Sequence, residues 1–286
     1  MGIAALCPSY GLAYALAHLL AFLIAAACHM KRCAYCGQVA SLTAEHIWPS
    51  CLVRKFDDSP ITYTQRKNSF YVGDPVIKDV CANCNNVKLS PLDSYMCALY
   101  EEHFSRILAP GENASIRFQY DKLLRGLLKI SYNSARAHSG DTTAAKALEG
   151  FSAYLLGGEH KPAISLRLQV VTWSHGVTRA GEPTGALRPH SLRVATMSYD
   201  GHLSHRFVVR LVGINSYWFF LIIARKREPP HKWHAFLDGF SRWSTPTGVP
   251  IPDHSTQLDV PRERTTYMHP ALLGNLLKPM VNYLRQ

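Results

Sequence analysis

Beyond residue 113, hydrophobic and polar positions fall into two successive periods, and each period predicts a different element. Over residues 120–136, Leu123, Leu124, Leu127, Leu128 and Ile130 recur at intervals of three and four, with Lys122, Arg125 and Lys129 on the other side. That spacing predicts an amphipathic helix. A second helix is predicted over residues 142–156, closed by Gly157-Gly158. The period then drops to two. Ile164, Leu166, Leu168 and Val170 alternate with Ser165, Arg167 and Gln169, as in a half-buried strand. Residues 205–212 and 217–224 predict a hairpin across Gly213-Ile214-Asn215-Ser216. Residues 217–223 are apolar at both parities, so that strand is expected to be central and covered on both faces. A final helix is predicted from Pro270, interrupted at Pro279.

The pattern before residue 110 is different. Residues 1–30 contain no Asp, Glu, Lys or Arg, and residues 10–28 are apolar apart from His18. A run of about 20 such residues is long enough to span a bilayer. It reads as a signal peptide without a basic start, as a lipoprotein signal ending at Cys28, or as a signal anchor flanked by Lys31 and Arg32. A fourth reading is an over-extended start, because Met30 is followed at once by KRCAYCG. Residues 57–74 are polar and mixed, the mark of a long hairpin or loop. Ala109-Pro110-Gly111-Glu112-Asn113 is a turn cluster. The expected organisation is an apolar segment at 1–29, a module at 31–108 and an α+β region at 114–286.

Composition adds bounds. The chain has 286 residues, 47% hydrophobic and 18% charged, which fits a globular protein and excludes a disordered one. Its formal charge of +11 suits a polyanionic partner, since each neutralised phosphate releases a counterion. An anionic membrane surface would serve the same excess.

Eight cysteines are present. Cys33 with Cys36 and Cys81 with Cys84 form CxxC pairs, while Cys7, Cys28, Cys51 and Cys97 stand singly. Two CxxC pairs supply four thiolates to one tetrahedral zinc, a closed structural site that contributes folding energy rather than chemistry. Such a site is expected in a reducing compartment, so the expected location is the cytoplasm, or the cytosolic side of a membrane anchored by residues 10–28. The gap between the pairs exceeds the span of a simple zinc ribbon and contains Glu45-His46.

The order CxxC, acid-His, Pro, CxxCN and a basic residue resembles the HNH nuclease family. The matching residues are Cys33, Cys36, Glu45, His46, Pro49, Cys81, Cys84, Asn85 and Lys88, and the resemblance covers residues 31–104. It implies an α+β fold whose first part is a ββα-metal unit braced by cysteines. It further implies an endonuclease that hydrolyses phosphodiester bonds in DNA. His46 would then take a proton from water, and one Mg²⁺ or other divalent ion would be held by Glu45 and Asn85. The chemistry agrees with these roles: neutral imidazole is basic near pH 7, and hard Mg²⁺ prefers oxygen ligands. On an extended segment Glu45 and His46 would point to opposite faces. The family's middle Asn, which braces the catalytic loop, has no counterpart: Val76-Ile77 occupies its place, and Asn68 lies too far upstream.

Other readings stand beside these. Asn85 also suits the first turn of a helix as a cap. Ser90-Pro91-Leu92-Asp93 reads as an N-cap followed by an acidic N3 residue, so Asp93 is expected to cap. His103 shares helical spacing with Leu89, Leu92, Met96 and Leu99 and is expected on a packed face, and Trp48 is expected beneath the catalytic loop. His231, His234 and His254 lack metal-ligand spacing. Lys31, Arg32, Arg54, Lys55, Arg66, Lys67 and Lys88 surround the motif with positive charge. Of these, Arg66, Lys67 and Lys88 are expected to grip phosphate, or to be a solvated face. Two further function classes remain open: a non-catalytic zinc module for nucleic acid or protein, and a membrane-associated assembly protein.

Overall fold

The computed structural model describes residues 31–56, 61–64, 69–137, 142–159, 163–177 and 182–260. The apolar run at 10–28, Arg66, Lys67 and the helix expected from Pro270 lie outside them. No helix among the described residues is long and apolar enough to cross a membrane.

The chain begins with two short paired strands, β1 (Lys31–Arg32) and β2 (Val39–Ala40), then β3 (Leu42–His46) and the one-turn helix α1 (Ser50–Val53). The polar stretch at 57–74 contains a hairpin of β4 (Ile61–Thr64) and β5 (Ser69–Val72). β6 (Val76–Cys81) returns antiparallel to β3. A helical stretch follows, with wide π turns at Cys84–Leu89 and Tyr100–Phe104 on either side of α2 (Ser90–Leu99). The remaining elements are β7 (Ala114–Arg117), α3 (Tyr120–Ala137), α4 (Thr142–Glu149), α5 (Ser152–Leu155), β8 (Ile164–Val170), β9 (Ser174–Val177) and β10 (Pro183–Leu187). After these come β11 (Leu192–Thr196), β12 (Phe207–Ile214), β13 (Tyr217–Ala224), α6 (Pro230–Trp243), β14 (Val249–Pro250) and β15 (Gln257–Val260). The protein is of the mixed helix and antiparallel-sheet class, α+β.

A five-stranded antiparallel sheet, ordered β11-β12-β13-β8-β14, organises the second half. The hairpin β12–β13 turns at Asn215-Ser216, two residues tighter than its sequence suggests. Asn215 takes a left-handed φ of 49°, which Asn tolerates better than most residues, and donates from Nδ2 to the Phe104 carbonyl at 2.9 Å. β13 is central and buried on both faces. Tyr217, Phe219, Leu221 and Ile223 enter the larger core, while Trp218, Phe220 and Ile222 meet Phe236 and Phe240 of α6 on the other side. Period-two alternation divides one apolar strand between two layers. Each fully buried large apolar side chain contributes about 1.5–3 kcal/mol.

Helix α3 lies between this sheet and the cysteine-rich part. It is buried all round from Gly126 to Ala135, not along one stripe. On the sheet side Arg210 of β12 donates to Ser131 Oγ at 2.9 Å and to its carbonyl at 3.1 Å. On the α2 side Gly126 permits close approach: a Cβ there would stand 2.7 Å from Met96 Sδ. One hydrophobic core therefore runs from Cys33 through α2 and α3 to Val260, across the turn at 109–113. The second predicted helix divides into α4 and α5 at Gly150-Phe151 before Gly157, which has φ +105°.

Candidate functional site

The four paired cysteines converge. Cys33 follows β1, and the chain reverses through Gly37, whose φ of +70° suits glycine, to bring Cys36 beside it. The backbone N–H of Cys81 at the end of β6 donates to Cys33 Sγ at 3.4 Å, and Cys84 opens the following π turn. All four Sγ atoms lie within 4.8 Å of one another, and Cys36 Sγ is 3.8 Å from Cys81 Sγ. Four sulfurs at about 2.3 Å from a tetrahedral zinc are separated by about 3.8 Å. The donor set therefore fits zinc.

The electrostatics agree. Burial acts to raise the Cys33 thiol, but backbone N–H groups at Cys36, Cys81 and Tyr35 outweigh it and bring the pKa down to about 7. Cys84 is pushed well up by burial and by the neighbouring sulfurs. Sulfurs this crowded cannot all ionise without a cation among them. Cys51 of α1 and Cys97 of α2 form a disulfide, a pairing that their isolated positions in the sequence did not signal.

β3 and β6 carry the rest of the motif. Their register pairs Leu42 with Cys81 and His46 with Val76, with an irregularity between Thr43 and Glu45. Glu45 and His46 take opposite faces: Glu45 is 2% exposed, whereas the His46 side chain is 45% exposed. His46 Nδ1 lies 2.6 Å from Asp74 Oδ2. An ionised carboxylate there accepts a hydrogen bond from Nδ1–H, which leaves Nε2 as the nitrogen with a free lone pair. Burial raises the Asp74 carboxyl, against the opposing pull of His46, and its buried Oδ1 has no hydrogen-bond partner.

Asn85 stands at the start of the helical stretch and reaches back to β3. Its Nδ2 donates to Thr43 Oγ1 at 3.0 Å and to the Ala44 carbonyl at 2.9 Å. Thr43 Oγ1 in turn donates to the Val80 carbonyl at 2.9 Å, so it must accept from Asn85, and Oδ1 of Asn85 is left open. Lys88, three residues on, is exposed.

Glu45 is engaged from α3. Its Oε1 lies 2.5 Å from Lys129 Nζ and accepts from Asn133 Nδ2 at 3.2 Å. Lys129, also 2% exposed, donates to both oxygens of Asp93, at 2.5 and 2.6 Å. A divalent ion at Glu45 Oε1 would crowd a buried ammonium, so this arrangement does not fit the expected two-ligand site. Asp93 is correspondingly not a cap. The helical stretch runs on through Ser90 from Cys84, and the carboxylate is spent on Lys129. His103 lies on a packed face, as its spacing predicts, with Nε2 accepting from the Arg117 backbone at 3.1 Å. Trp48 is buried.

Three residues at this site carried no motif signal. Asp74 was reachable in principle, because an antiparallel return puts the acid preceding Val76 next to His46. Lys129 and Asn133 were not, since they arrive from a helix more than 80 residues away in sequence. The chain matches no protein-family model, no curated protein and no solved structure.

Proposed function

We propose that the protein is an HNH-type endonuclease that hydrolyses phosphodiester bonds in DNA, with His46 as the general base. The observation that carries this reading is the 2.6 Å contact between His46 Nδ1 and Asp74 on a half-exposed ring, on a strand pair whose other end carries Cys81 of the four-cysteine centre. The carboxylate fixes the tautomer with Nε2 as the acceptor, so His46 takes a proton from water as it attacks phosphorus, while the P–O bond to the departing sugar oxygen breaks and that oxygen takes a proton from solvent. The cysteine centre, loaded with zinc, holds Asn85 against β3 and so holds the strand that bears His46. Lys88 offers an exposed cation for backbone phosphate, and the charge of +11 favours a polyanion. Zinc is structural in this reading. Because Glu45 Oε1 already carries Lys129, no step is assigned to Mg²⁺.

A second reading is a zinc module that binds nucleic acid or protein without cleaving it, and the engagement of Glu45 by Lys129 favours it. Plasmid nicking by the purified full chain, with Mg²⁺, with Mn²⁺ and with a chelator selective for these ions, separates the two. Nicking that His46→Ala abolishes supports the nuclease. A wild type that leaves plasmid intact in every arm, or a His46→Ala variant that nicks equally well, leaves the binding module.

A further inference from the structure

Asn133 has no exposed surface, and every hydrogen-bonding position of its amide is in use. Oδ1 accepts from the Tyr35 hydroxyl at 2.6 Å and from Arg136 Nη2 at 2.9 Å. Nδ2 donates to Glu45 Oε1 at 3.2 Å and to the backbone carbonyl of His46 at 3.0 Å. Asp at this position would supply no donor for either Glu45 or the carbonyl, and Gln would displace the amide by a methylene.

The His46 backbone is thus held from two directions. Asn133 fixes its carbonyl from α3, and the next N–H, of Ile47, donates to the Pro75 carbonyl at 3.0 Å. Between these two anchors the imidazole lies against Asp74, Nδ1 at 2.6 Å from Oδ2. Asn133 is flanked along α3 by two cations that engage the cysteine-rich segment. Lys129 lies one turn before it at Glu45, and Arg136 lies one turn after it, bonded to Asp79 of β6 at 2.8 Å and stacked on the rings of Tyr35 and Tyr132. Residues 129, 133 and 136 share one face of α3, so a helix from beyond the cysteine-rich segment forms the floor under His46.

We infer that Asn133 is a positioning residue for His46, adding from α3 a brace at the His46 backbone itself to those that Asn85 and Pro75 supply from within residues 31–104. The catalytic part of this inference rests on the nuclease reading, but the positioning part does not. A lost bond at a fully buried amide is not replaced by water, so truncation leaves the His46 carbonyl unheld. A displacement near 1 Å at a reacting group lowers rate on the order of 10²-fold.

The test compares the full chain with Asn133→Ala and Tyr35→Phe. Zinc content and a cooperative unfolding transition confirm that each variant folds. The ring N–H resonance of His46 in ¹H–¹⁵N spectra reports the contact with Asp74, and kcat and KM for nicking are measured separately. Asn133→Ala is expected to shift or broaden the His46 resonance. It is also expected to lower kcat on the order of 10²-fold, with KM within about twofold, because orientation and not binding is lost. Tyr35→Phe removes only the hydroxyl that steadies Asn133, and is expected to move both readouts in the same direction by less. If Asn133→Ala does not fold, Tyr35→Phe decides. An unchanged His46 resonance and unchanged kcat in the variant that folds overturn the inference while leaving the nuclease reading intact. A wild type that does not nick removes the nuclease reading, and the His46 resonance then decides positioning alone.

Discussion

Lys129 Nζ lies 2.5 Å from Glu45 Oε1, with both side chains almost wholly out of solvent, and the same ammonium holds Asp93. This contact joins the cysteine-rich segment to α3 through charge as well as apolar packing. Removing the cation leaves two carboxylates facing each other with no counter-ion. Lys129→Met is expected to cost about 3–5 kcal/mol, the range for breaking a buried pair. The double variant Lys129→Met/Glu45→Gln is expected to recover part of that loss. Chemical denaturation of the wild type, the Lys129→Met and Glu45→Gln single variants and the double variant gives the coupling directly, and purely additive losses would contradict the pairing.

The cysteine centre predicts one zinc per chain. Structural zinc contributes about 10–16 kcal/mol of apparent binding free energy, as much as the whole stability of about 5–15 kcal/mol typical of a domain. Cys84→Ser is expected to abolish stoichiometric zinc in elemental analysis. It is also expected to remove the cooperative thermal transition, because the continuous core gives residues 31–104 no independent support.

Asp74 makes a prediction about pH. Burial raises its carboxyl, so folding is favoured while it is protonated and loses that contribution as pH rises through the raised value. At neutral pH the ionised carboxylate therefore costs stability. Asp74→Asn keeps an oxygen for His46 Nδ1–H and removes the charge, so its melting temperature at pH 7 is expected at or above that of the wild type. The difference should shrink below about pH 4, where the ordinary carboxyl is protonated. Nicking should fall by on the order of 10-fold or more, since the charged carboxylate stabilises the imidazolium that forms as His46 takes the proton, one part of a general-base contribution of about 10²–10⁴. A variant both less stable and equally active would contradict this account.

Cys51 and Cys97 are 46 residues apart, and a bridge closing a loop of that size stabilises by about 2–4 kcal/mol. The double variant Cys51→Ser/Cys97→Ser is expected to melt lower than the oxidised wild type and to match the wild type treated with a phosphine reductant. Both should keep their zinc. If the reductant leaves the wild-type transition unmoved, the bridge does not support the fold.

The sequence by itself determined whatever depends on local period and on spacing along the chain. Alternation at Ile164–Val170 produced a strand, apolar residues at both parities of Tyr217–Ile223 produced a central one, and paired CxxC spacing brought four sulfurs together. These signals survive in one dimension because each residue's burial there follows from its near neighbours. Tertiary structure alone decided which layer covers which face. Lys129 reads as the polar side of an amphipathic helix, yet its ammonium meets Glu45 and Asp93 and not water. Asp74, Asn133 and the Cys51–Cys97 bridge reach their partners only when β3, β6, α1, α2 and α3 pack around one core. A polar side chain signals its type in sequence but not its partner, because the partner is fixed by long-range packing that no local period encodes.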